Sequence, residues 1–269
     1  MKVNGYFIEP RAELQSADLS GAQLMGVTLF YAQMQRADLT EADLTGANLQ
    51  CVNLEGANLK RANMPGALLS GEDPRYKQAL RRGLRERGRT RRRIAPPKKS
   101  NLNGANFEEA TLIGAHFNWS DLEEARLVNA DLTGAHLCVT NLKRANLSGA
   151  NLRGANLTEA NLHQALLVGS VLTMADLENT DLTSANFRAA ILQGTLLKVA
   201  DLEEANFDSA NLQNANITGA HLKGAVFTNA DLRGANLEGA TLTGATFVGA
   251  HWDHKTIWPH GFTPPSSKY

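Results

Sequence analysis

From Ser100 to His254 the chain can be written as 31 consecutive pentads without a slip, and the third residue of every pentad is apolar. That residue is Leu in most pentads, Phe in six, Ile217 once and Trp252 once. The first residue is Ala in 25 pentads and Ser or Thr in the other six. The second is often Asn or Asp, and the fourth and fifth vary. An earlier block from Ala12 to Gly71 obeys the same rule for 12 pentads, with Val27 and Val52 replacing Ala at the first position. A period of five suits neither regular element. An α-helix turns about 100° per residue, so the apolar residues would wander around its surface. A strand alternates faces, so an odd period would send successive Leu to opposite sides.

A chain that turns a corner in each pentad buries the pattern, because every third residue then points at a common axis. With corners of about 90°, four pentads close a coil, and the apolar residues tell whether that holds. Phe187, Phe207, Phe227 and Phe247 are spaced by 20, Phe107 shares their phase, and Phe117 is the exception. The expected interior takes two side chains per pentad: the large third residue and the small first one. Leu152, the Phe column and Trp252 are its members along the second block, and the column is expected to interdigitate along the axis. Asn or Asp at the second position and Gly at many fifth positions suit tight turns. Stacked coils about 4.8 Å apart would be joined by backbone hydrogen bonds. Such an array is stabilised by nearest-neighbour terms.

The pentads Ala-Asp-Leu-Thr-Gly (42–46 and 130–134), Ala-Asn-Leu-Ser-Gly (145–149) and Ala-Asn-Leu-Arg-Gly (150–154) resemble the A(D/N)LXX consensus of the pentapeptide-repeat family. The resemblance covers 215 of 269 residues. It implies an all-β fold, a right-handed quadrilateral parallel β-helix of about 11 coils at four pentads each, and a distribution weighted toward cyanobacteria. It does not imply one function. Some members mimic DNA and bind topoisomerase, which the resemblance offers as one role. Those rods are strongly negative, whereas this one is moderately so and carries a cationic interruption.

That interruption, residues 72–99, divides the chain. The expected organisation is an N-terminal cap (1–11), coils (12–71), a basic insertion (72–99), coils (100–254) and a C-terminal cap or tail (255–269). The insertion is 28 residues long, not a multiple of five, which predicts re-entry in a new phase. It holds twelve Lys or Arg against Glu72, Asp73 and Glu86, a net +9; the whole chain is neutral, so the remainder carries −9. Tyr76 to Arg87 suits a short helix after Pro74, and Arg87 to Lys99 reads as a flexible stretch. Arg81, Arg82, Arg85, Arg87, Arg89, Arg91, Arg92 and Arg93 are the candidate partner-binding residues. Charge at this density suits an acidic protein surface, nucleic-acid phosphates or anionic lipid headgroups. It equally suits folding back on the acidic rod of the same chain. The segment lacks the aromatic interleaving of single-strand binders, which disfavours nucleic acid.

Other departures are weaker. The side containing Leu122, Leu182 and Leu202 carries Asp121, Glu123, Glu124, Asp181, Asp201, Glu203 and Glu204, interrupted by Lys143, Arg144, His163, His221 and Lys223, and reads as a solvated face. His116 and His136 are 20 apart and should stack, but the ladder continues with Asn156 and Asp176, so no metal shell is expected. Trp252, Trp258 and Phe262 read as an aromatic lid on the last coil. The four Asn-X-Ser/Thr matches, at Asn118, Asn146, Asn156 and Asn216, are by-products of the repeat. Thr90 among arginines is a weak kinase site.

No phosphate-binding Gly loop or nucleophile–base set appears, and Cys51 and Cys138 make no disulfide framework. The expectation is therefore a non-enzymatic scaffold or protein-interaction module, without cofactor or metal. No run of eighteen apolar residues and no secretory leader is evident, so a cytoplasmic protein without a transmembrane segment is expected.

Overall fold

The structure, a computed structural model, describes residues 1–71 and 99–264. The insertion's predicted helix, its arginines and Thr90 fall outside the described residues. The remainder is a right-handed quadrilateral β-helix. Its ladder is a series of parallel single-residue bridges, each joining a second-position residue to its counterpart one coil on, 20 residues away within either block, as in Glu13 to Gln33, Asp38 to Asn58 and His116 to His136. Four pentads therefore make one coil. We name its sides by their first pentads: side A at 12–16, B at 17–21, C at 22–26 and D at 27–31.

Each pentad's backbone explains its residue preferences. The N–H of the first residue donates to the carbonyl of the preceding third residue, closing a turn, as from Ala17 to Leu14 at 3.1 Å. The N–H groups of positions three and five donate to the coil above, as Leu14 to Gln33 (2.7 Å) and Ser16 to Gln35 (2.9 Å). The second N–H donates to the coil below, as Gln33 to Ala12 at 2.9 Å. Only the fourth N–H is left, and the Asn or Asp at position two accepts it: Thr133 N–H reaches Asp131 Oδ1 at 3.1 Å, and Ser148 N–H reaches Asn146 Oδ1 at 3.1 Å. An Asx residue there closes the backbone's hydrogen-bond account. The fifth residue sits at positive φ whether it is Gly46 (63°) or Arg36 (57°), a conformation that most residues avoid. The two cross-coil bonds of each pentad hold it there.

The inward positions are sealed. Leu152, Phe187, Phe207 and Phe227 are completely buried and Phe247 nearly so, while Trp252 at the last coil is half-buried. Buried Ser and Thr at the first position donate to carbonyls, as Ser170 Oγ to Leu167 (2.7 Å) and Thr195 Oγ1 to Leu172 (2.8 Å). The Phe column on side B does not interdigitate. Its rings lie flat on one another, at centroid spacings of 4.9, 5.0 and 5.0 Å and angles of 6° or less. The coil rise imposes this, since identical rotamers repeated at the ladder spacing can only stack. Phe117 lies on side D, opposite, and meets Phe107 edge to face at 5.9 Å.

The chain re-enters with its pentads in a new numbering phase, and the two blocks nevertheless stack as one coil. Asn53 pairs with Asn101 and Leu68 with His116, so the pentad at Ser100 occupies the place directly after the pentad ending at Gly71. The insertion changes the numbering but not the coil, because the ladder is set by which pentads stack and is indifferent to what leaves a corner. At the start, strands β1 (Lys2–Val3) and β2 (Tyr6–Phe7) form an antiparallel hairpin over the first coil, with Ile8 buried in the core. At the end, Trp258 and Phe262 pack on Phe247 at 5.4 and 5.8 Å.

Candidate functional site

With the interior filled, chemistry and recognition fall to the surface. The basic insertion joins the coil at the D–A edge, between Gly71 and Lys99. Its eight candidate arginines lie outside the described residues, but the surface around its root does not. Gly71 N–H bonds Asn118 O at 3.2 Å and Ser100 Oγ bonds Ser70 O at 3.3 Å, so both flanks keep regular coil positions. Side D carries no Lys, Arg, Asp or Glu from Thr28–Tyr31 through His136–Val139. It presents Phe30, Tyr31, His116, Trp119 and Val139 instead. Trp119, one coil above Gly71, holds φ 62° and is 39% exposed, a bulky aromatic in a conformation it disfavours. An uncharged aromatic surface beside a dense cation run has the composition of a protein interface. Sequence inspection missed this side because its members are 20 or more residues apart and only the coil gathers them.

Part of the acidic side A is paired with cations. Arg144 reaches both Glu123 and Glu124 at 2.8 Å, Lys143 lies 3.8 Å from Glu123, and Lys223 pairs with Glu203 at 2.5 Å. His163 Nδ1 meets Thr183 Oγ1 at 2.5 Å. Lys143, Arg144 and Lys223, which interrupt the acidic side in sequence, are thus partners of its carboxylates in space. Side B repeats the motif: Arg61 bonds Glu109 at 2.8 Å and lies 3.5 Å from Glu41, tying coils on both sides of the insertion together. Exposed pairs of this kind are individually weak, because water screens the attraction and holding two long side chains costs entropy. Where sides A and B meet, a shallow open groove is lined by Gln15, Arg36, Glu55, Asn103 and Glu124.

His116 and His136 stack at 4.4 Å and 13°. Burial, and then the neighbouring His136, push the His116 pKa below its ordinary value. Among the described residues no group of three or more His, Cys, Asp or Glu is placed to hold a metal ion. Burial, then Asp176 and Glu159, raise the Cys138 thiol pKa, so it is a poor nucleophile. No helix among the described residues is long and apolar enough to cross a membrane.

Comparison with known proteins agrees with this architecture. The family model for pentapeptide repeats matches residues 11–46, 37–71, 100–138 and 140–173, and that for a pentapeptide repeat region matches 170–247. No curated protein sequence matches the chain. Among solved structures, HetL, a pentapeptide repeat protein involved in heterocyst differentiation regulation from the cyanobacterium Nostoc sp. strain PCC 7120, is 28% identical with a TM-score of 0.57, covering 88% of this chain and 94% of that one. The pentapeptide repeat protein Rfr23 from the cyanobacterium Cyanothece 51142 is 42% identical over 35% of this chain and 63% of its own, with a TM-score of 0.34. QnrB1, a plasmid-mediated fluoroquinolone resistance protein, is 17% identical over 86% of this chain and 92% of its own, with a TM-score of 0.30. With matching family models over most of its length and a coil of four pentads per turn, the chain belongs to the pentapeptide-repeat family.

Proposed function

We propose that the protein is a non-enzymatic scaffold of the cytoplasm that binds another protein through its basic insertion and the surface at the insertion's root. The observation that carries this is the uncharged, aromatic side D flanking the place where a +9 segment joins an otherwise regular rod. The arginines from Arg81 to Arg93 supply long-range attraction and side D supplies apolar contact, the division of labour of protein interfaces. The likeness to HetL, a protein with a regulatory role, points the same way. A DNA-mimicking role is less well supported, because Glu109, Glu123, Glu124 and Glu203 pair with cations one coil away and interrupt the negative charge of sides A and B. The test is affinity capture at mild salt with the full chain and a Δ72–99 chain side by side. A partner retained by the first and lost by the second supports the reading, and no partner for the intact protein refutes it. Retained binding of Δ72–99 to anionic vesicles or DNA would refute a lipid or nucleic-acid role for the insertion.

A further inference from the structure

We propose that the C-terminal end of the coil, over sides A and B, is a docking edge for an extended segment of another protein. This deepens the scaffold reading and rests on it.

The argument starts from the direction of the backbone bonds. In every pentad two N–H groups, at positions three and five, point toward the C-terminal end, and one carbonyl, at position one, accepts from that side. In the last full coil, Leu222, Gly224, Phe227 and Asn229 donate to Thr241, Thr243, Thr246 and Val248 at 2.7 to 2.9 Å. One coil higher the chain runs out unevenly. On side C, Leu232 N–H bonds His251 O at 2.7 Å and Gly234 N–H bonds the Asp253 carboxylate at 3.0 Å. On side D, Leu237 N–H bonds Ile257 O at 2.7 Å, and Ile257 N–H bonds Ala235 O at 2.9 Å. Sides A and B receive no such cover. Among the described residues, the N–H groups of Leu242, Gly244, Phe247 and Gly249 have no acceptor, and the carbonyls of Ala240 and Ala245 lack the donor that the coils below supply. Trp258 and Phe262 pack on the Phe247 ring without reaching these backbone groups. Leu242 and Ala245 are only half-buried, where their counterparts below, Leu222 and Ala225, are fully buried.

An open edge of this kind is a template for strand addition. Its chemistry selects the occupant. A second copy supplies it only in part. The N-terminal end is covered by β1, β2 and Ile8. Another C-terminal end would bring the same excess of donors, two N–H per carbonyl, against this one. The complement is an extended peptide that offers two carbonyls two residues apart over each pentad and sets an apolar side chain over Leu242. From Ala240 to Gly249 there is no charged residue, so the segment is itself uncharged at the contact.

The test uses the full chain and, as probe, an acetylated and amidated peptide with the sequence of residues 145–154 in which Ala replaces Arg153. Amide hydrogen exchange is followed residue by residue. The expected result is at least tenfold slower exchange at Leu242, Gly244, Phe247 and Gly249 with peptide present. The effect should vanish in Leu242→Lys and with a peptide carrying Asp at both Leu positions, while protection at Leu152 stays unchanged and shows that the rod is intact. Three results would each overturn the proposal: exchange at the four amides indifferent to millimolar peptide, strong protection of those amides in the free protein, or protection that grows with protein concentration alone. Because these amides are read directly, loss of partner capture by Δ72–99 would leave this outcome standing.

Discussion

Deleting residues 72–99 should leave the coil intact and make it more stable. The ladder runs from Asn53 to Asn101 and from Leu68 to His116 as if Gly71 and Ser100 were neighbours. Gly71 N–H already donates to Asn118 O, and Ser100 O already accepts from Asp121 N–H at 2.9 Å. What the corner lacks is the turn bond from Ser100 N–H to Leu69 O, which most other pentads make at 2.9 to 3.3 Å. Joining Gly71 to Ser100 restores it, for about 1 kcal/mol. Removing a 28-residue excursion also removes its closure entropy. At about 0.6 kcal/mol per doubling of loop length, this is roughly 2–3 kcal/mol. The expected gain is therefore about 3–4 kcal/mol, offset by whatever contacts the segment makes. Urea unfolding of the two chains measures the difference, and amide exchange at Asn53, Asn58, Asn101 and Asn106 checks that the same ladder persists. A deletion chain that loses protection at those four positions, or is less stable by about 2 kcal/mol or more, would refute the claim that the two blocks are consecutive turns of one coil.

Three further expectations follow from the interior, the turns and the histidine pair. Leu152→Asp should cost more than about 4 kcal/mol, since it forfeits a fully buried side chain and leaves a carboxylate without a partner; amide exchange should show the loss concentrated in the coils holding Leu132 and Leu172, and loss spread evenly along the rod would contradict nearest-neighbour stabilisation. Asp131→Ala removes the acceptor of Thr133 N–H, Thr133 Oγ1 and Asn151 Nδ2 and should cost roughly 1–2 kcal/mol by denaturation, whereas Asp131→Asn keeps an oxygen for the turn and should cost less than about half of that. His116, whose pKa lies below its unfolded value, favours the folded state fully above about pH 6.5 and loses that contribution as pH falls below it toward the folded pKa; the urea midpoint should drop between pH 7.5 and 5.0 by more in the parent than in His116→Asn, and equal drops would clear the pair of any role.

The five-residue rule was enough to determine the coil. Leu at every third position has no helix or strand that buries it, so the corner follows from periodicity alone, and the Phe spacing of 20 sets four corners per turn. The preference for Asn and Asp was visible too, but not its reason. Only the folded backbone shows that the fourth N–H is the one left over and that an Asx oxygen takes it. Charge behaved likewise: Lys143, Arg144 and Lys223 looked like breaks in an acidic run until the coil set each beside a carboxylate one turn away. The continuity of the two blocks could not be read from sequence, because counting residues gives the shift in phase across the insertion, whereas stacking depends on which edges meet. Side D and the open C-terminal edge could not be seen in one dimension. The first is assembled from residues about a coil apart, and the second is defined by backbone donors whose partners depend on where the tail lies.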